Sequence, residues 1–432
     1  MKMNMQPYKG SRDFYPEDKR LQKWMFDKWR RVVEKYGYEE YDAPILEPTE
    51  LYKIKGSQEI IEEQTYTFLD RGGRSVTVRT EMTPTVSRMI AAQRQELQYP
   101  VRWYSIPNIW RYERMQRGRL REFWQLNVDL FGISGLAAEL EMLQITDDIF
   151  QSFKAHRKDY VIKLNSRVFV QQLFERVFGM DSNETTQLIR LIDKFHKSES
   201  VEFVSKLDEI TKNHDESLKM YDLLNNKFLE ELPENVKKLP GISEITELLT
   251  RAKNYGISNI EFDITLMRGF DYYTDVVFEV FDTDAENNRS MFGGGRYDGL
   301  IGEFGVEPLP TVGFGMGDVT FMNFLETHGL LPDLKPTTEA ILIIRDAGSV
   351  PGAEKAAHEL REMGANVSVD YSERKIDKQF KSALKTGICY AIFVGREEIA
   401  SEQYILKDLK TSKEEKHSLQ RIVSIVKDNR KR

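Results

Sequence analysis

Apolar residues near the start of the chain recur three or four positions apart, a spacing that places them on one face of an α-helix. Pro16, Glu17 and Asp18 favour a first helical turn, and Gly37 favours the position just after a last turn. The pattern therefore predicts a helix from about residue 16 to residue 36. Its apolar positions are Leu21, Trp24, Met25, Trp29, Val32 and Tyr36.

Short alternating runs after this helix predict β-strands. One such run is Tyr38–Ala43, which Pro44 ends. Gln64–Leu69 and Ser75–Arg79 read as a hairpin, because the segment between them, Asp70–Gly73, has the composition of a tight turn. Antiparallel strands are thus expected to dominate the first half. The further strand-like runs are Val101–Tyr112 and Phe123–Phe131, which enclose an arginine-rich loop.

The middle of the chain has a different pattern. From about Ser166 to Tyr255, Leu, Lys, Glu and Asp recur at helical periods with few strand signals. This predicts an inserted helical module. Strand patterns return over Ile260–Asp282, and the later segments are a glycine cluster (Gly293, Gly294 and Gly295) and the apolar, glycine-rich Thr311–Leu325.

The last quarter of the chain predicts a separate domain. Leu331–Pro336 holds two prolines and has the composition of a linker. Strand-like and helical patterns alternate beyond it, which predicts a small α/β domain with a parallel sheet. The strand-like runs are Ala340–Ile344, Asn366–Val369 and Ile388–Val394, and the helical patterns are Pro351–Met363 and Glu373–Leu384.

The composition excludes several classes of protein. The chain has 432 residues, of which 40% are hydrophobic, enough for about two to four domains and too apolar for a disordered chain. No uncharged apolar run approaches the roughly 18 to 20 residues that span a bilayer, and the first ten residues lack the apolar stretch of a signal peptide. We therefore expect a cytoplasmic protein with no membrane association.

The sequence contains few cysteine and histidine residues that could bind a metal ion. Cys389 is the only cysteine, and the six histidines never stand at the spacing of a ligand pair. A disulfide and a structural zinc site are therefore not expected. Any metal should be held by oxygen atoms.

Charge is distributed unevenly along the chain. The net charge is −7, which argues against a general nucleic-acid coat. Residues 340–432, however, hold 18 Lys and Arg against 14 Asp and Glu. Basic residues thus gather in the C-terminal segment.

The densest chemical signal is the segment from Val101 to Glu122, which contains six arginines, two glutamates and no lysine. The planar guanidinium group binds phosphate with two hydrogen bonds, so this preference for arginine favours oriented phosphate recognition over mere solubility. A solvated hairpin tip is the alternative from composition alone. The arginines are Arg102, Arg111, Arg114, Arg117, Arg119 and Arg121.

These residues resemble motif 2 of the class II aminoacyl-tRNA synthetases and, in detail, the histidyl-tRNA synthetase family. The segments Arg268–Tyr273 and Gly294–Asp298 are similar to the two histidine-specific signatures of that family. The resemblance spans nearly the whole chain and is weakest in the helical insert. Other matching segments are Lys9–Asp13 at the N-terminal start, Gly37–Leu46 with Pro44 as motif 1, and Arg79–Thr83 as the RxExT strand.

The resemblance implies an ATP site. Arg111 would hold the α-phosphate, Glu113 would accept a hydrogen bond from the adenine amino group, and Phe123 would stack beneath the adenine. Arg119 and Arg121 would neutralise the remaining phosphate charge. Without its neighbours, Phe123 would be taken for ordinary core packing.

The resemblance also implies a histidine site. Glu81, Thr83 and Gln125 would accept hydrogen bonds from the substrate's ammonium group. Asp129 and Tyr273 would hold opposite edges of the imidazole, which disfavours apolar side chains because buried polar groups would be left unpaired. The other implied histidine-binding residues are Arg268, Tyr272, Gly294 and Tyr297.

Catalysis is expected to depend on arginine. Attack of a carboxylate on the α-phosphate builds negative charge on phosphoryl oxygens, which a fixed guanidinium stabilises. The resemblance assigns this role to Arg268, with Arg111 as the second catalytic residue; structural pairing of Arg268 with Asp271 is the alternative. Glu279 resembles the acid that helps to bind Mg²⁺ on the ATP phosphates.

Two positions depart from the family pattern. Thr320 stands where motif 3 normally has an arginine that binds the far end of ATP. Three explanations stay open: a lineage variant, a shifted local arrangement, or a relative that no longer activates histidine. Asp129 stands where many members have Glu, so its carboxylate lies about one methylene further from the imidazole.

The resemblance implies a fold and a division into domains. The expected fold is an α+β class II synthetase core with an antiparallel sheet and flanking helices, a helical insertion and a C-terminal α/β anticodon-binding domain. The core is expected over residues 1–165 and 256–330, the insertion over 166–255 and the anticodon-binding domain over 336–432.

The expected function is that of a histidine–tRNA ligase, which activates histidine with ATP and Mg²⁺ and transfers it to the 3′ end of tRNA(His). The alternative is a non-catalytic paralogue that senses histidine as the regulatory subunit of ATP phosphoribosyltransferase, which Thr320 favours. A general RNA-binding module would leave the histidine signatures unexplained. A homodimer is also expected, with motif 1 at the interface and with Trp24 and Trp29 exposed for that contact.

Overall fold

The structure is a computed structural model that describes residues 4–54, 63–192, 195, 199–225, 229–267, 272–287, 289–372 and 374–430. The chain forms two compact units. The first comprises Met1–Asp13 and Trp24–Leu331, and the second comprises Phe14–Lys23 and Pro332–Arg432. No helix in the described ranges is long and apolar enough to cross a membrane.

The strands, in chain order, lie in both units. They are β1 (Glu39–Glu40), β2 (Leu46–Pro48), β3 (Tyr66–Leu69), β4 (Ser75–Val78), β5 (Val101–Ser105), β6 (Asn108–Trp110), β7 (Glu122–Phe131), β8 (Tyr160–Ser166), β9 (Ile260–Phe262), β10 (Val276–Asp282), β11 (Ser290–Arg296), β12 (Thr311–Gly317), β13 (Ala340–Ile344), β14 (Val367–Asp370), β15 (Tyr390–Val394), β16 (Tyr404–Asp408) and β17 (Glu414–His417).

The α-helices surround these strands in sequence. They are α1 (Pro16–Lys35), α2 (Thr49–Tyr52), α3 (Thr83–Ala92), α4 (Ala137–Ser152), α5 (Arg167–Gln172), α6 (Ser182–Ile192), α7 (Ser200–Thr211), α8 (His214–Leu224), α9 (Glu234–Lys237), α10 (Ile242–Tyr255), α11 (Asp318–Thr327), α12 (Val350–Glu362), α13 (Ile376–Lys385), α14 (Arg396–Ser401) and α15 (Leu419–Arg430). A π-helical turn, Leu173–Val177, follows α5.

A nine-stranded sheet forms the centre of the first unit. Its order is β1-β5-β7-β12-β11-β10-β8-β9, and β6 pairs with β7. The central pairs are antiparallel, as expected, but β1 pairs with β5 and β8 pairs with β9 in parallel. The sheet is therefore mixed.

Glycines let the central strands β11 and β12 lie close to their neighbours. A Cβ atom on Gly294 would lie 2.1 Å from the carbonyl oxygen of Gly313 and 2.5 Å from the Cβ of Phe314. No side chain larger than hydrogen fits at that distance. The glycine cluster Gly293–Gly295 is thus part of strand β11.

Aromatic residues fill the core between this sheet and its helices. The ring of Trp29 stacks on Phe26 at 5.3 Å and meets Phe321 edge-on at 5.6 Å. Trp29 is 0% exposed, and Trp24 packs edge-on against Phe153. The expectation that these tryptophans are exposed is therefore wrong for Trp29, which is buried in the core of its own chain. Trp24 is partly buried and packs against the same core.

A second, smaller sheet in the first unit has the order β2-β4-β3. The pairing of Tyr66 with Val78 and of Phe68 with Val76 confirms the predicted hairpin. Leu46 lies opposite Val78 on the other side of β4. Since side chains in paired positions share a face, these apolar residues line one side of the small sheet.

The segment from Arg167 to Tyr255 is helical in its described parts, as the sequence pattern predicted. Its buried leucines and phenylalanines join the same apolar core as the central sheet. Ser166, at the end of β8, and Asp275, just before β10, are joined by a hydrogen bond of 2.7 Å. The chain thus leaves the sheet at β8 and returns to it nearby at β9 and β10.

The second unit holds a five-stranded sheet of order β14-β13-β15-β16-β17. The first three strands are parallel, as predicted, but β16 and β17 are antiparallel to their neighbours. The parallel pairing of the three predicted strands is thus confirmed. The sequence did not predict β16 and β17, and β16 is antiparallel to β15 because only residues 395–403 separate them. A parallel crossover needs about a dozen residues or more.

Candidate active site

One pocket in the first unit gathers seven of the predicted histidine-binding residues. The seven residues are Glu81, Thr83, Gln125, Asp129, Tyr272, Tyr273 and Tyr297. The pocket is also lined by Arg111, Asn127, Gly293, Gly313, Phe314 and Gly315.

Strand β7 supplies one wall of this pocket. Gln125, Asn127 and Asp129 alternate along the strand, so their side chains point to the same face. Gly313 lies opposite Asp129 on β12, and Gly315 lies opposite Asn127. A Cβ at Gly313 would be 2.2 Å from Asp129 Oδ1, and one at Gly315 would be 2.7 Å from Gln125 Nε2. The glycines leave the space that these polar side chains occupy.

Asp129 is the most deeply buried acid of the pocket, at 3% exposed. The hydroxyl of Tyr297 donates a hydrogen bond to Asp129 Oδ1, whereas Oδ2 has no hydrogen-bond partner among the described residues. Burial raises the pKa of Asp129 to about 7, although the hydrogen bond from Tyr297 opposes this shift. The buried oxygen Oδ2 is therefore an acceptor that a ligand N–H can satisfy.

Glu81 forms a second acidic centre. It is 5% exposed, and the hydroxyl of Tyr272 donates to its Oε2 at 3.2 Å. The ring of Tyr272 lies 4.8 Å from that of Tyr273 and 5.8 Å from that of Tyr297. These three rings form one apolar side of a pocket whose other sides are acids and amides.

Buried arginines hold the segments that carry these groups. Arg79 donates to the backbone oxygens of Asn108 and Ala43 at 2.8 Å each, which fixes the strand end before Glu81. Arg296 donates to Glu139 on helix α4 and to Asp298 at 3.1 Å. Each arginine therefore anchors a turn beside a pocket residue.

Arg111 links the pocket to the arginine-rich segment. Its Nε donates to the carbonyl of Thr80 at 2.9 Å, and its guanidinium lies 5.6 Å from the centre of the Phe123 ring. Glu113 lies 4.0 Å from Arg111 and 3.5 Å from Arg119. Cations thus surround Glu113 next to the aromatic ring predicted to stack on adenine.

Other predicted residues do not line the pocket. The guanidinium of Arg121 stacks on the ring of Tyr112 at 3.7 Å. Glu279 on β10 lies opposite Gly293, which does line the pocket. Gly294, the next residue, is not among the lining residues. Its predicted contact with histidine stays a prediction.

Two further predicted positions need separate comment. Arg268 lies outside the described residues. Thr320 lies in the first turn of α11, where its hydroxyl donates to the carbonyl of Met291 at 2.8 Å. A Cβ on Gly118, in the arginine-rich loop, would lie 3.3 Å from the Thr320 methyl group. The loop tip therefore lies against the position where the family pattern has an arginine.

Sequence reasoning missed Asn127, Gly313, Phe314 and Gly315 as lining residues. The two-residue spacing from Gln125 and Asp129 is a signal that could have placed Asn127 on the same face. The glycines could not have been found this way. Their place opposite the acids depends on the register between β7 and β12, which short apolar runs do not specify.

Comparisons with known proteins agree on one family. The family model described as Histidyl-tRNA synthetase matches residues 10–318, and that described as Anticodon binding domain matches residues 339–429. The histidine–tRNA ligase of Leptospira biflexa is 40% identical over 414 residues, 94% of each chain. That of Thermoplasma volcanium is 34% identical over 422 residues, 96% of each chain.

Solved structures show the same architecture. Histidyl-tRNA synthetase from Nostoc sp. PCC 7120 superposes with a TM-score of 0.78 at 25% identity, covering 99% of this chain and 100% of that one. An ATP phosphoribosyltransferase regulatory subunit/histidyl-tRNA synthetase from Bacillus halodurans shares the fold, with a TM-score of 0.73 at 22% identity over 88% of this chain and 97% of the other. On the length of the family match and the identity to its relatives, the chain belongs to the histidyl-tRNA synthetase family.

Proposed function

We propose that the chain is a histidine–tRNA ligase, a class II aminoacyl-tRNA synthetase. In the first step the histidine carboxylate attacks the α-phosphorus of ATP, and pyrophosphate leaves. In the second step the terminal adenosine hydroxyl of tRNA(His) attacks the acyl carbon, and AMP leaves. The observation that carries the proposal is the single pocket that unites Glu81, Gln125 and Asp129 with the tyrosines of both histidine signatures.

Histidine selection follows from the buried acceptors of this pocket. Asp129 Oδ2 accepts an imidazole N–H on one edge of the ring, and Tyr273 contacts the other edge. Glu81, with Thr83 and Gln125, accepts hydrogen bonds from the ammonium group. An amino acid with an apolar side chain would leave Asp129 Oδ2 unpaired, a cost of about 1 to 3 kcal/mol.

ATP is a substrate of the enzyme, and we assign its site to the arginine-rich segment. Arg111 reaches the α-phosphate from the pocket, while Phe123 stacks on the adenine and Glu113 accepts from its amino group. Arg119 and Arg121 neutralise the distal phosphates. The cationic surroundings of Glu113 and Phe123 support this placement.

Arg268 completes the proposed catalytic pair with Arg111. Its charge would oppose the negative charge that grows on the phosphoryl oxygens during attack. The role rests on the family signature from Arg268 to Tyr273, whose last two residues, Tyr272 and Tyr273, line the pocket.

Glu279 is the proposed protein ligand of Mg²⁺. It faces Gly293 across β10 and β11, and Gly293 lines the pocket. The described residues contain no group of three or more metal-ligating side chains. Phosphate and water oxygens would supply the remaining ligands, as Mg²⁺ prefers, and the ion would neutralise phosphate charge.

The histidine-sensing regulatory subunit is not favoured. The curated relatives at 34 to 40% identity are named histidine–tRNA ligases over nearly their full length. The Bacillus halodurans structure, whose name includes both functions, shares the fold at 22% identity. Of the three explanations for Thr320, we therefore propose a lineage variant whose other arginines are sufficient.

Residues 336–432 are proposed to bind the anticodon arm, and residues 166–255 are the proposed insertion. The family match at 339–429 and the local excess of Lys and Arg support the first assignment. Arg345 and Arg396 follow the ends of β13 and β15 and reach solvent. Replacing both by Ala should raise the KM for tRNA and leave histidine-dependent ATP–pyrophosphate exchange unchanged.

A homodimer is proposed as the assembly. The apolar side of the small sheet supports it, because Leu46 and Phe68 are exposed there. Apolar faces of this kind are typical of subunit interfaces. Sedimentation at micromolar concentration should give about twice the mass of the 50.5 kDa chain, and a Phe68→Glu variant should shift the mass toward one chain.

Exchange of labelled pyrophosphate into ATP tests the function most directly. The purified chain should catalyse this exchange when histidine is present and should charge tRNA(His) when tRNA is added. Exchange at background level with histidine present would contradict the proposal. A variant with Asp129→Leu, which removes the unpaired acceptor, should lose histidine-dependent exchange.

A further inference from the structure

Three alternate residues of the N-terminal segment contact the arginine-rich segment or the helix beside it. They are Tyr8, Gly10 and Arg12, and each makes a different kind of contact. Nothing in the proposed chemistry uses them. Their contacts converge on the start of strand β7 and on Arg121.

Arg12 fixes one end of this N-terminal segment. Its guanidinium donates to Asp318 Oδ2 at 2.7 Å. Asp318 is buried, and its other oxygen accepts from the backbone N–H of Trp124 at 2.9 Å. The ion pair thus joins the segment to the start of α11 and to β7 between Phe123 and Gln125.

Gly10 binds the backbone next to Arg121. Its carbonyl accepts from the backbone N–H groups of Arg121 at 2.9 Å and Glu122 at 3.1 Å. Its φ is +88°, and a Cβ there would lie 2.7 Å from the Arg121 Cγ. Only glycine brings the segment so close to the stem of this arginine.

Tyr8 contacts the charged end of Arg121. The guanidinium donates to the Tyr8 hydroxyl at 3.1 Å and lies 5.8 Å from the centre of its ring. The guanidinium also stacks on the ring of Tyr112 at 3.7 Å. Tyr66 donates to the same Tyr8 hydroxyl at 3.4 Å, and the ring of Trp110 lies 6.5 Å from that of Tyr8.

The position of Tyr8 is not explained by burial, since the side chain is 51% exposed. An exposed aromatic residue that stabilises a core would bury most of its ring. The contacts of Tyr8 instead restrict the rotamers of one long cationic side chain. Restricting Arg121 in advance reduces the entropy lost when it binds a phosphate.

We propose that Tyr8 is a positioning residue for ATP binding, which acts by holding the guanidinium of Arg121 where it stacks on the ring of Tyr112. Gly10 and Arg12 fix the segment that carries Tyr8. The inference rests on the proposed function, in which Arg121 binds the distal phosphates of ATP.

The experiment measures ATP–pyrophosphate exchange by the full chain with Tyr8→Ala and Tyr8→Phe. Tyr8→Ala loses the ring and the hydroxyl, so the KM for ATP should rise about fivefold or more. Tyr8→Phe keeps the ring and should give a smaller rise. The KM for histidine and the melting temperature should not change. Tyr15→Ala, which removes another exposed tyrosine, is the matched control and should leave the KM for ATP unchanged.

A double-mutant cycle separates positioning from a general structural effect. In an Arg121→Ala background, Tyr8→Ala should raise the KM for ATP by less than about twofold, because the two residues act through one contact. Equal effects of Tyr8→Ala in both backgrounds, or an unchanged or lower KM for ATP, would overturn the inference. Absence of histidine-dependent exchange in the unmodified chain would instead overturn the proposed function, and this inference with it.

Discussion

The histidine pocket and the arginine-rich loop use charge in opposite ways. In the pocket, Asp129 and Glu81 are 3% and 5% exposed, and a tyrosine hydroxyl donates to each. In the loop, the side chains of Arg117 and Arg119 are 55% and 54% exposed and lie 3.6 and 3.5 Å from their carboxylate partners. Water screens the loop charges far more strongly than those of the pocket.

Because of this difference, the pocket discriminates among ligands, whereas the loop attracts phosphate groups in general. A buried acceptor with one missing donor discriminates among ligands, because the wrong ligand leaves it unpaired. An exposed guanidinium attracts any phosphate and loses little when its partner changes. The loop is therefore expected to tolerate substitutions that the pocket does not.

Arg111 belongs to both regions and should give the largest effect. Arg111→Ala removes the guanidinium that contacts the pocket and holds Thr80, so the rate of exchange should fall about 100- to 1000-fold. Arg119→Ala, a loop arginine with an exposed side chain, should lower it less than about tenfold. Initial rates at saturating histidine and ATP measure both. Similar losses of exchange rate in the two variants would contradict the proposed difference between the pocket and the loop.

Gly313→Ala tests the packing of the pocket wall. The new Cβ would lie 2.2 Å from Asp129 Oδ1, so Asp129 must move and the KM for histidine should rise at least about tenfold. Gly317→Ala is the matched control on the same strand, because its nearest neighbour, Thr320 Oγ1, would be 3.6 Å away. Thermal melting of both variants shows whether the fold is kept. Equal KM values would mean that Asp129 does not contact histidine.

The pKa of Asp129 predicts a pH dependence for the pocket. Burial raises this pKa to about 7 in the free protein, so the carboxylate becomes protonated as pH falls from 8 to 6 and accepts an imidazole N–H less well. The KM for histidine should rise up to about tenfold over that range. Asp129→Asn should bind more weakly but lose most of this dependence. A profile that is equally steep in the Asn variant would assign the titration to another group.

The same shift affects stability with a definite sign. A carboxyl whose pKa is about 7 when folded and near its ordinary value when unfolded binds more protons in the folded state between pH 4 and 7. The free energy of unfolding therefore falls as pH rises through this range. Chemical denaturation at pH 5 and pH 8 should show a smaller difference for Asp129→Asn than for the unmodified chain.

Thr320→Arg should give the smallest effect. The loop tip at Gly118 already lies against Thr320, and Arg111, Arg119 and Arg121 are expected to meet the phosphates. The KM for ATP should change less than about threefold, or rise by crowding. A tenfold or greater fall would show that the missing cation is a real deficit, since one charged hydrogen bond is worth about 1.5 to 3 kcal/mol.

The sequence predicts the elements better than their pairing. Strong periodicity placed helix α1 and the hairpin of β3 and β4 within one or two residues. It did not predict that β16 runs antiparallel to β15, because strand direction depends on the length of the connection and not on the strand itself. Helix α3 was also missed, since Thr83–Ala92 is short and its buried face includes the polar residues Thr85 and Ser87.

The site residues were predicted from sequence motifs, so the prediction contains only what those motifs specify. The signatures located Glu81, Asp129 and Tyr297, which share one pocket. They gave no indication that Trp29 is buried in its own chain, because the same apolar face suits a core and an interface. The positions of Gly313 and Gly315 opposite polar residues of β7 likewise could not be predicted, because they depend on the register of β7 and β12.

Gly313 and Gly315 on β12 limit how the pocket can be redesigned for another amino acid. At Gly313 and Gly315 no atom can be removed to enlarge the cavity, since glycine is already the smallest residue. The side chains that face these two glycines are Asp129 and Gln125, both polar groups proposed to bind histidine. Enlarging the pocket at this wall therefore gives up selectivity for histidine in the same step, whereas one added methyl group is enough to disturb it.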